Sequence, residues 1–324
     1  MPIGSDHDIV YASCTEGGYE VVRNLVREGV EIAELVTLTE EQAATHDVAG
    51  YQSFDALADE HDVPVYHPET YSMTEADTDH FESLDADLLI VNGWQRLIPE
   101  PVLKTFTRGA LGVHGSAYGL PKGRGRSPMN WSIIEDRDRF LLSVIRLDAG
   151  VDSGDIVDTV KYDITEFDTI RTLYYKLAIA TSEMLVDSLE PILDGTFEYT
   201  EQEGEPTYYP KRTPEDGAIN WQNGTREIYD LVRAVAAPYP GAFTEHEGVR
   251  IMIWEAIPFS DDFVFNEAPG TVVQSFVTTG DFVVKTADGT LLVTDWEAES
   301  WTPTEGDQLA SLGERTRVDA PEAE

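Results

Sequence analysis

The sequence lacks several features that define large classes of protein. Its 324 residues include one cysteine, Cys14, which excludes an internal disulfide framework and a cysteine-based zinc site. No run of apolar residues approaches the roughly 18 to 20 that a membrane-spanning helix needs. The first residues, MPIGSDHD, show no basic and then apolar secretion signal. We therefore expect a soluble, cytoplasmic protein with no membrane partner.

Basic residues are also scarce. The chain has 22 Lys plus Arg against 61 Asp plus Glu, so its formal net charge is −39, and charge of this sign repels the phosphates of nucleic acids. The densest group of cations is Lys122, Arg124 and Arg126, whose setting, PKGRGRSP, indicates a small anion site rather than a surface for a duplex. Acidic residues are spread over the whole chain, which favours adaptation to high salt. An ordinary acidic protein is the alternative.

The apolar residues are sufficient for a packed core, because 41% of the chain is hydrophobic. In residues 1–150, short apolar runs alternate with amphipathic segments. This alternation predicts strands at Asp8–Ser13, Ala33–Leu38, Asp87–Asn92 and Leu111–His114, with helices between them. Such a rhythm favours an α/β fold with a mostly parallel, Rossmann-like sheet and helices on both faces.

The second half of the sequence predicts a different architecture. A long amphipathic helix is predicted over Thr169–Leu193, and residues 201–218 have the polar, Pro- and Gly-rich composition of a linker. Short alternating runs separated by turn residues then predict a small, OB-like β-barrel. We therefore expect an N-terminal domain at 1–200, the linker at 201–218, the barrel domain at 219–312 and a frayed tail at 313–324.

Three segments combine polar side chains with predicted strand ends. NGWQRLIPE (92–100) follows the clearest strand, and LGVHGSAYGLPKGRGRSPMNW (111–131) carries His114 into a loop rich in Gly and Pro. LDAGVDSGD (147–155) places three aspartates between predicted strands at Phe140–Leu147 and Ile156–Tyr162. We expect all three segments at the same edge of the sheet, where a parallel sheet binds its ligands.

A histidine beside a carboxylate can act as a general acid. The carboxylate fixes the tautomer through one ring nitrogen, and the other nitrogen then donates a proton or stabilises an oxyanion. Taken alone, a single histidine on a strand is more often structural. The aspartate loop, taken alone, could equally be a calcium-like turn or a solvated hairpin.

Together the segments resemble the 10-formyltetrahydrofolate-dependent formyltransferases, a family that includes methionyl-tRNA formyltransferase. VHGSAYGLPKGRGRSP and VDSGDI are similar to the family's strand-end histidine loop and its later aspartate turn. RTPEDGAINW and IYDLVRAVAAPYPGAF are similar to its second domain, so the resemblance covers about residues 8–300. It is strongest to the members that formylate nucleotide-linked amino sugars such as UDP-4-amino-4-deoxy-L-arabinose.

The resemblance implies a reaction and a set of site residues. A substrate amine attacks the formyl carbon of 10-formyltetrahydrofolate, with no metal and no covalent enzyme intermediate. By this resemblance His114 is the catalytic proton donor and Asp152 is the carboxylate that tunes it. The residues implied for folate binding are Arg96, Leu97, Ile98, Arg126, Asp148, Ala149, Gly150 and Val151.

One position departs from the family pattern. The family usually has asparagine two residues before the histidine, where its amide steadies the formyl oxygen, but this sequence has Gly112. Loss of one such donor typically lowers the rate by roughly 10² to 10³. The candidates for a replacement donor are Asn92, Ser116 and Asn130.

Three functions therefore remain open. A formyltransferase acting on a nucleotide amino sugar is the first, and methionyl-tRNA formyltransferase is the alternative, although tRNA recognition should need a cationic path for phosphates. The third is a folate- or sugar-binding module that has lost its chemistry through Gly112. Dimerisation of family relatives makes a homodimer plausible.

Overall fold

The computed structural model of the chain describes residues 3–4 and 6–313. The strands are β1 (Ile9–Ala12), β2 (Glu34–Val36), β3 (Val65–Tyr66), β4 (Leu88–Val91), β5 (Gly109–Ser116), β6 (Arg124–Gly125), β7 (Arg139–Arg146), β8 (Ile156–Asp163), β9 (Tyr208–Tyr209), β10 (Ala242–His246), β11 (Val249–Pro258), β12 (Val272–Ser275), β13 (Phe282–Lys285) and β14 (Thr290–Ala298). The α-helices are α1 (Glu16–Arg27), α2 (Glu40–Thr45), α3 (Asp55–His61), α4 (Glu75–Leu84), α5 (Glu100–Leu103), α6 (Pro128–Ile134), α7 (Ile170–Leu193) and α8 (Thr225–Val235).

The described residues form two compact units. The first contains the chain up to Gly125 together with Arg139–Asp163 and Tyr174–Tyr208. The second contains Arg126–Asp138, Ile164–Leu173 and the described residues from Tyr209 onward. The domain limits expected from the sequence remain a prediction, and all but the first residue of the expected tail at 313–324 lies outside the described residues.

A seven-stranded sheet organises the first unit. Its strand order is β3-β2-β1-β4-β5-β7-β8. The first five strands run parallel to their neighbours, whereas β7 is antiparallel to both β5 and β8. The predicted mostly parallel sheet is therefore confirmed. Its β7–β8 edge is antiparallel, and this sets the direction in which the loop 147–155 leaves β7.

Both faces of this sheet are buried at its central strands, β1 and β4. All four residues of β1 are fully buried, although neighbouring side chains of a strand point to opposite faces. On one face, Val10 and Leu89 belong to a core cluster with Phe81 of α4 and Val102 of α5. Each fully buried side chain of this size contributes about 1.5–3 kcal/mol. The central strands are therefore packed on both faces, and the loops that follow them extend from this core.

The second unit contains a five-stranded antiparallel sheet. Its order is β10-β11-β14-β13-β12, which leaves β10 and β12 at opposite edges. Helix α8 buries Ile228, Val232 and Val235 in the core of this unit. An antiparallel C-terminal unit was expected, but this strand order does not confirm that the sheet closes into a barrel.

The segment interpreted as a linker contains regular structure. Within 201–218 the chain forms β9, which pairs with β6, and a turn of 3-10 helix at Pro214–Gly217. Its polar residues make hydrogen bonds to other parts of the described chain, including one from the amide of Gly123 to the hydroxyl of Thr207 at 2.9 Å. The polar segment is therefore held to the described chain by side-chain and backbone hydrogen bonds, and it also buries one aromatic residue, Tyr209.

Candidate active site

The structure brings His114 and Asp152 together. His114 lies on β5, and its side chain shares a sheet face with Gly112 and Ser116, since residues two apart in a strand point the same way. The imidazole Nδ1 lies 3.4 Å from Oδ2 of Asp152. His114 is 9% exposed, so the pair sits at the margin of the core. A nearly buried ring beside a carboxylate is suited to proton transfer.

Asp152 reaches this histidine from an unexpected direction. Because β7 is antiparallel to β5, the chain leaves β7 beside the amino end of β5, where the amide of Leu147 donates to the carbonyl of Ala110 at 2.7 Å. The expectation that all three polar segments lie at one edge is therefore wrong for 147–155. The loop instead folds back to place Asp152 against His114.

Local turn chemistry shapes this loop. The carboxylate of Asp148 accepts hydrogen bonds from the amide of Gly150 at 2.8 Å and from the hydroxyl of Ser153 at 2.6 Å. A Cβ at Gly154 would overlap the carbonyl oxygen of Arg146, so only glycine allows the two stems of the loop to approach this closely. Asp152 itself has φ of 50°, in the left-handed region.

The segment Gly123–Gly125 contacts both members of the pair. The amide of Gly125 donates to Oδ2 of Asp152 at 2.9 Å, and Nε2 of His114 lies 3.0 Å from the carbonyl oxygen of Gly123. Because a carbonyl only accepts, Nε2 carries a proton in this arrangement. Two glycines of PKGRGRSP thus supply backbone groups to the site.

The residues predicted for folate binding occupy two kinds of position. Leu97 and Val151 expose large apolar side chains, 58% and 39% exposed, and Asp148, Ala149 and Gly150 are also exposed. Arg96 stacks over the ring of Tyr71, with 4.6 Å from the guanidinium carbon to the ring centroid. Ile98 is buried in the core cluster. Leu97 and the loop 148–151 therefore offer accessible surface, whereas Ile98 does not.

Two predicted site residues belong to the second unit. Arg126 begins that unit, where its amide donates to the carbonyl of Tyr209 at 3.3 Å. Asn130 lies on α6, and its side-chain amide nitrogen donates to the backbone carbonyl of Ala234 in α8 at 2.7 Å. One side-chain N–H of Asn130 therefore joins two helices, α6 and α8.

The other oxyanion candidates also have partners or face elsewhere. The hydroxyl of Ser116 donates to the carbonyl of Lys122 at 2.6 Å. Asn92 follows Val91, which pairs with Gly112. The backbone N–H of Asn92 donates to the carbonyl of Ala12, so the residue continues the pairing of the strand. Strand alternation thus directs the Asn92 side chain to the face opposite Gly112 and His114.

Leu147 fills the space beside Gly112. A Cβ built on Gly112 would clash with Cδ2 of Leu147 and lie 3.0 Å from its Cγ. Leu147 also packs on the core cluster below. An apolar side chain thus occupies the volume in which the family's usual asparagine would begin. The sequence shows the glycine at this position but carries no signal for its occupant, since the contact joins residues 35 positions apart.

Gln202 is the site residue that sequence reasoning missed altogether. Its amide nitrogen donates to the carbonyl of Asp152 at 2.9 Å and to that of Gly154 at 2.7 Å. The residue lies in the polar segment interpreted as a linker, where neither periodicity nor a motif marked it. A single glutamine far along the chain becomes informative only when the loops it joins are seen.

The lone cysteine is not arranged for nucleophilic chemistry. Burial raises the pKa of the Cys14 thiol to about 11. Its sulfur lies 3.4 Å from the hydroxyl of Tyr71. A thiol with so high a pKa stays protonated near neutrality and is a poor nucleophile.

Among the described residues, no group of three or more His, Cys, Asp or Glu could hold a metal ion, and no helix there is long and apolar enough to cross a bilayer.

Comparison of the sequence with known families identifies the class of protein. Residues 9–189 match the family described as formyl transferase, and residues 211–311 match the formyl transferase C-terminal domain. The first match alone spans more than half of the chain. The chain therefore belongs to the formyl transferase family.

Solved structures share the fold at low sequence identity. HypX from Aquifex aeolicus in complex with tetrahydrofolic acid is 18% identical with a TM-score of 0.65, and the match covers 90% of this chain and 44% of that one. An N-formyltransferase from Helicobacter canadensis, in complex with folinic acid and dTDP-3-aminofucose, is 15% identical with a TM-score of 0.64, covering 90% and 100%. Methionyl-tRNA formyltransferase from Clostridium thermocellum is 18% identical with a TM-score of 0.58, covering 91% and 100%. The chain thus spans less than half the length of HypX.

Proposed function

We propose that the protein transfers the formyl group of 10-formyltetrahydrofolate to a primary amine. The observation that carries this proposal is the 3.4 Å approach of His114 and Asp152 within residues 9–189, the part of the chain that matches the formyl transferase family. These residues lie 38 positions apart, and a loop folds back to join them. A histidine with a merely structural role would not need a carboxylate delivered in this way.

The residues of the site fit a folate. Leu97 and Val151 expose apolar side chains of the kind that pack on a planar heterocycle, and the backbone of 148–151 is accessible for hydrogen bonding. Solved relatives of this fold hold tetrahydrofolic acid or folinic acid. When bound, 10-formyltetrahydrofolate supplies the formyl group, activated by its attachment to nitrogen.

The protein's own part in the reaction is proton transfer and orientation. As the amine nitrogen bonds to the formyl carbon and the bond from that carbon to the folate nitrogen breaks, His114 donates a proton to the departing nitrogen. The attacking amine loses one proton in the same reaction, which balances the proton given by the ring, and Asp152 stabilises the positive charge of the ring before donation. Gly125 fixes the carboxylate through its amide. Donation through Nε2 requires the ring to give up its contact with the carbonyl of Gly123. General acid catalysis of this kind contributes roughly 10²- to 10⁴-fold.

We further propose a nucleotide-linked amino sugar as the amine. The net charge of −39 opposes binding of a tRNA along many phosphates, whereas a sugar nucleotide presents two phosphates and a compact amine. The Helicobacter canadensis protein of the same fold was solved with dTDP-3-aminofucose.

Methionyl-tRNA is the second candidate substrate. It is favoured by the match of residues 211–311 to the C-terminal domain and by the full-length coverage of the Clostridium thermocellum enzyme. A module that binds folate or sugar without turnover is the third candidate, favoured by the replacement of the usual asparagine by Gly112 and Leu147.

One assay separates the three candidates. The purified full chain is given 10-formyltetrahydrofolate and either dTDP-linked or UDP-linked amino sugars, with the amine at C3 or C4 (UDP-4-amino-4-deoxy-L-arabinose among them), or methionyl-tRNA. We expect release of tetrahydrofolate and an N-formyl product with at least one amino sugar. Formylation of methionyl-tRNA alone would select the second candidate, and folate binding with no product from any amine would select the third.

A further inference from the structure

We propose that Gln202 is a positioning residue for formyl transfer, which it serves by holding the loop of Asp152 against the segment Gly123–Gly125. This inference rests on the proposed function, because it assigns Gln202 a role in the same site. It concerns the residues behind the His114–Asp152 pair rather than the pair itself.

Every hydrogen-bonding position of the Gln202 amide group points at one of two loops. Its nitrogen donates to the carbonyls of Asp152 at 2.9 Å and Gly154 at 2.7 Å. Its oxygen accepts from Arg124, at 2.7 Å from Nη2 and 3.3 Å from Nε. A primary amide has two donors and one carbonyl oxygen, so these contacts engage both ends of the group.

The two loops joined by Gln202 are the ones that contact the catalytic pair. The segment Gly123–Gly125 touches His114 through a carbonyl and Asp152 through an amide. Arg124, which Gln202 engages, lies at the centre of that segment and is 9% exposed. A shift of Gln202 would therefore change the position of Asp152 relative to His114.

The Asp152 loop needs such an external contact. The residues of its tip, 148–151, are all exposed, so none of them is packed in a core that would hold the tip in place. The Gln202 side chain donates two hydrogen bonds to backbone carbonyls in this part of the loop, those of Asp152 and Gly154. It is itself fixed in the chain close to Thr200, which pairs with Ile156 at the start of β8.

The segment Gly123–Gly125 has a second, independent anchor. The hydroxyl of Thr207 accepts from the amide of Gly123 and its carbonyl accepts from the amide of Arg124, both at 2.9 Å. Removal of the Gln202 amide should therefore loosen the alignment of the two loops without unfolding the first unit. This makes the role testable by substitution.

The test compares Gln202→Leu and Gln202→Glu with the exposed control Gln222→Leu. Gln202→Glu keeps an acceptor for Arg124 but loses both donors to the Asp152 loop. This variant therefore distinguishes the contact with Arg124 from the contacts with the carbonyls of Asp152 and Gly154. We expect kcat to fall roughly 10- to 100-fold in both Gln202 variants, because small misplacements of reacting groups cost about that much. KM for the amine and folate affinity should stay within about twofold, since the substrate contacts remain. The control should match wild type.

A double variant distinguishes positioning from a general structural role. If Gln202 acts through Asp152, Gln202→Leu should lower kcat little further in an Asp152→Asn background, whereas independent structural damage would multiply. Hydrogen exchange provides a readout that needs no activity. We expect faster exchange at 148–155 in Gln202→Leu and an unchanged pattern in β1, β2 and β4.

The outcomes separate this inference from the function on which it rests. Wild-type kcat and exchange in Gln202→Leu would overturn the positioning role alone, as would multiplicative loss in the double variant. A wild-type chain that formylates no amine would overturn the proposed function and the positioning role with it. A lowered kcat with local loosening at 148–155 supports both.

Discussion

An asparagine introduced at position 112 tests how this site manages without the family's usual amide. In the structure a Cβ on Gly112 would clash with Cδ2 of Leu147 and lie 3.0 Å from its Cγ. Ordinary carbon contacts lie at about 3.5–4.0 Å, so Leu147 must move. Overpacking of this kind typically costs about 1–3 kcal/mol. We expect Gly112→Asn alone to lose that much stability and to gain no turnover.

Removal of Leu147 should change the outcome. Replacing a buried leucine by alanine typically lowers the free energy of unfolding by about 2–5 kcal/mol. Leu147→Ala alone should not exceed that loss, because Leu147 is only partly buried. In Gly112→Asn/Leu147→Ala the new amide fills the vacated volume, so the two losses should not add. If the amide also reaches the formyl oxygen, kcat should rise above that of Leu147→Ala, by up to roughly 10² to 10³.

Urea unfolding and steady-state kinetics of the four proteins provide the measurement. Gly17→Ala is the matched control, since a Cβ there meets only the Tyr174 ring at 3.9 Å, an ordinary contact. It should leave stability equal or slightly higher, because alanine favours a helix over glycine by about 1 kcal/mol. Full stability of Gly112→Asn, or strictly additive losses in the double variant, would refute the conclusion that Leu147 occupies this space.

Three further results are expected. Asp152→Asn keeps an acceptor for Gly125 but removes the charge beside His114, so kcat should fall roughly 10²- to 10⁴-fold while folate affinity, measured by fluorescence titration, is unchanged. Asp288→Asn tests a pH dependence, because the backbone N–H of Thr225 holds the pKa of the Asp288 carboxyl below its usual value. The ionised carboxylate should therefore make wild type more stable than the variant above about pH 5. Urea unfolding should show this difference in stability vanish as the pH falls below about 4. Raising KCl from about 0.1 M to about 1 M shortens the Debye length from about 10 Å to about 3 Å, which screens repulsion between acidic side chains. Calorimetry should therefore show a higher Tm at high salt for this chain of charge −39. An unchanged Tm would contradict adaptation to salt.

The regular elements were the most predictable part of the structure. The apolar runs expected as strands at Asp87–Asn92 and Leu111–His114 contain or overlap β4 and β5, and the helix expected at Thr169–Leu193 is α7 within one residue. Burial on both faces makes a parallel strand almost continuously apolar, and a long helix repeats its apolar side chains every three or four residues. Both patterns are local, so the sequence displays them directly.

The direction of the Asp152 loop was not predictable from such patterns. A short strand is equally apolar whether it runs parallel or antiparallel to its neighbour, so nothing in FLLSVIR revealed that β7 reverses beside β5. The pairing of His114 with Asp152 was expected from the resemblance to a family, not from the local pattern. The contacts of Leu147 with Gly112 and of Gln202 with Asp152 also join distant positions, and single residues carry them.

The central claim is best tested by His114→Asn in a single-turnover experiment with isotopically labelled 10-formyltetrahydrofolate and the preferred amine. Folate affinity of the variant, measured separately, establishes that the site is intact. We predict unchanged folate binding and a rate of label transfer lowered by roughly 10²- to 10⁴-fold. Label transfer at the wild-type rate by a variant that binds folate normally would contradict the proposal that His114 donates the proton.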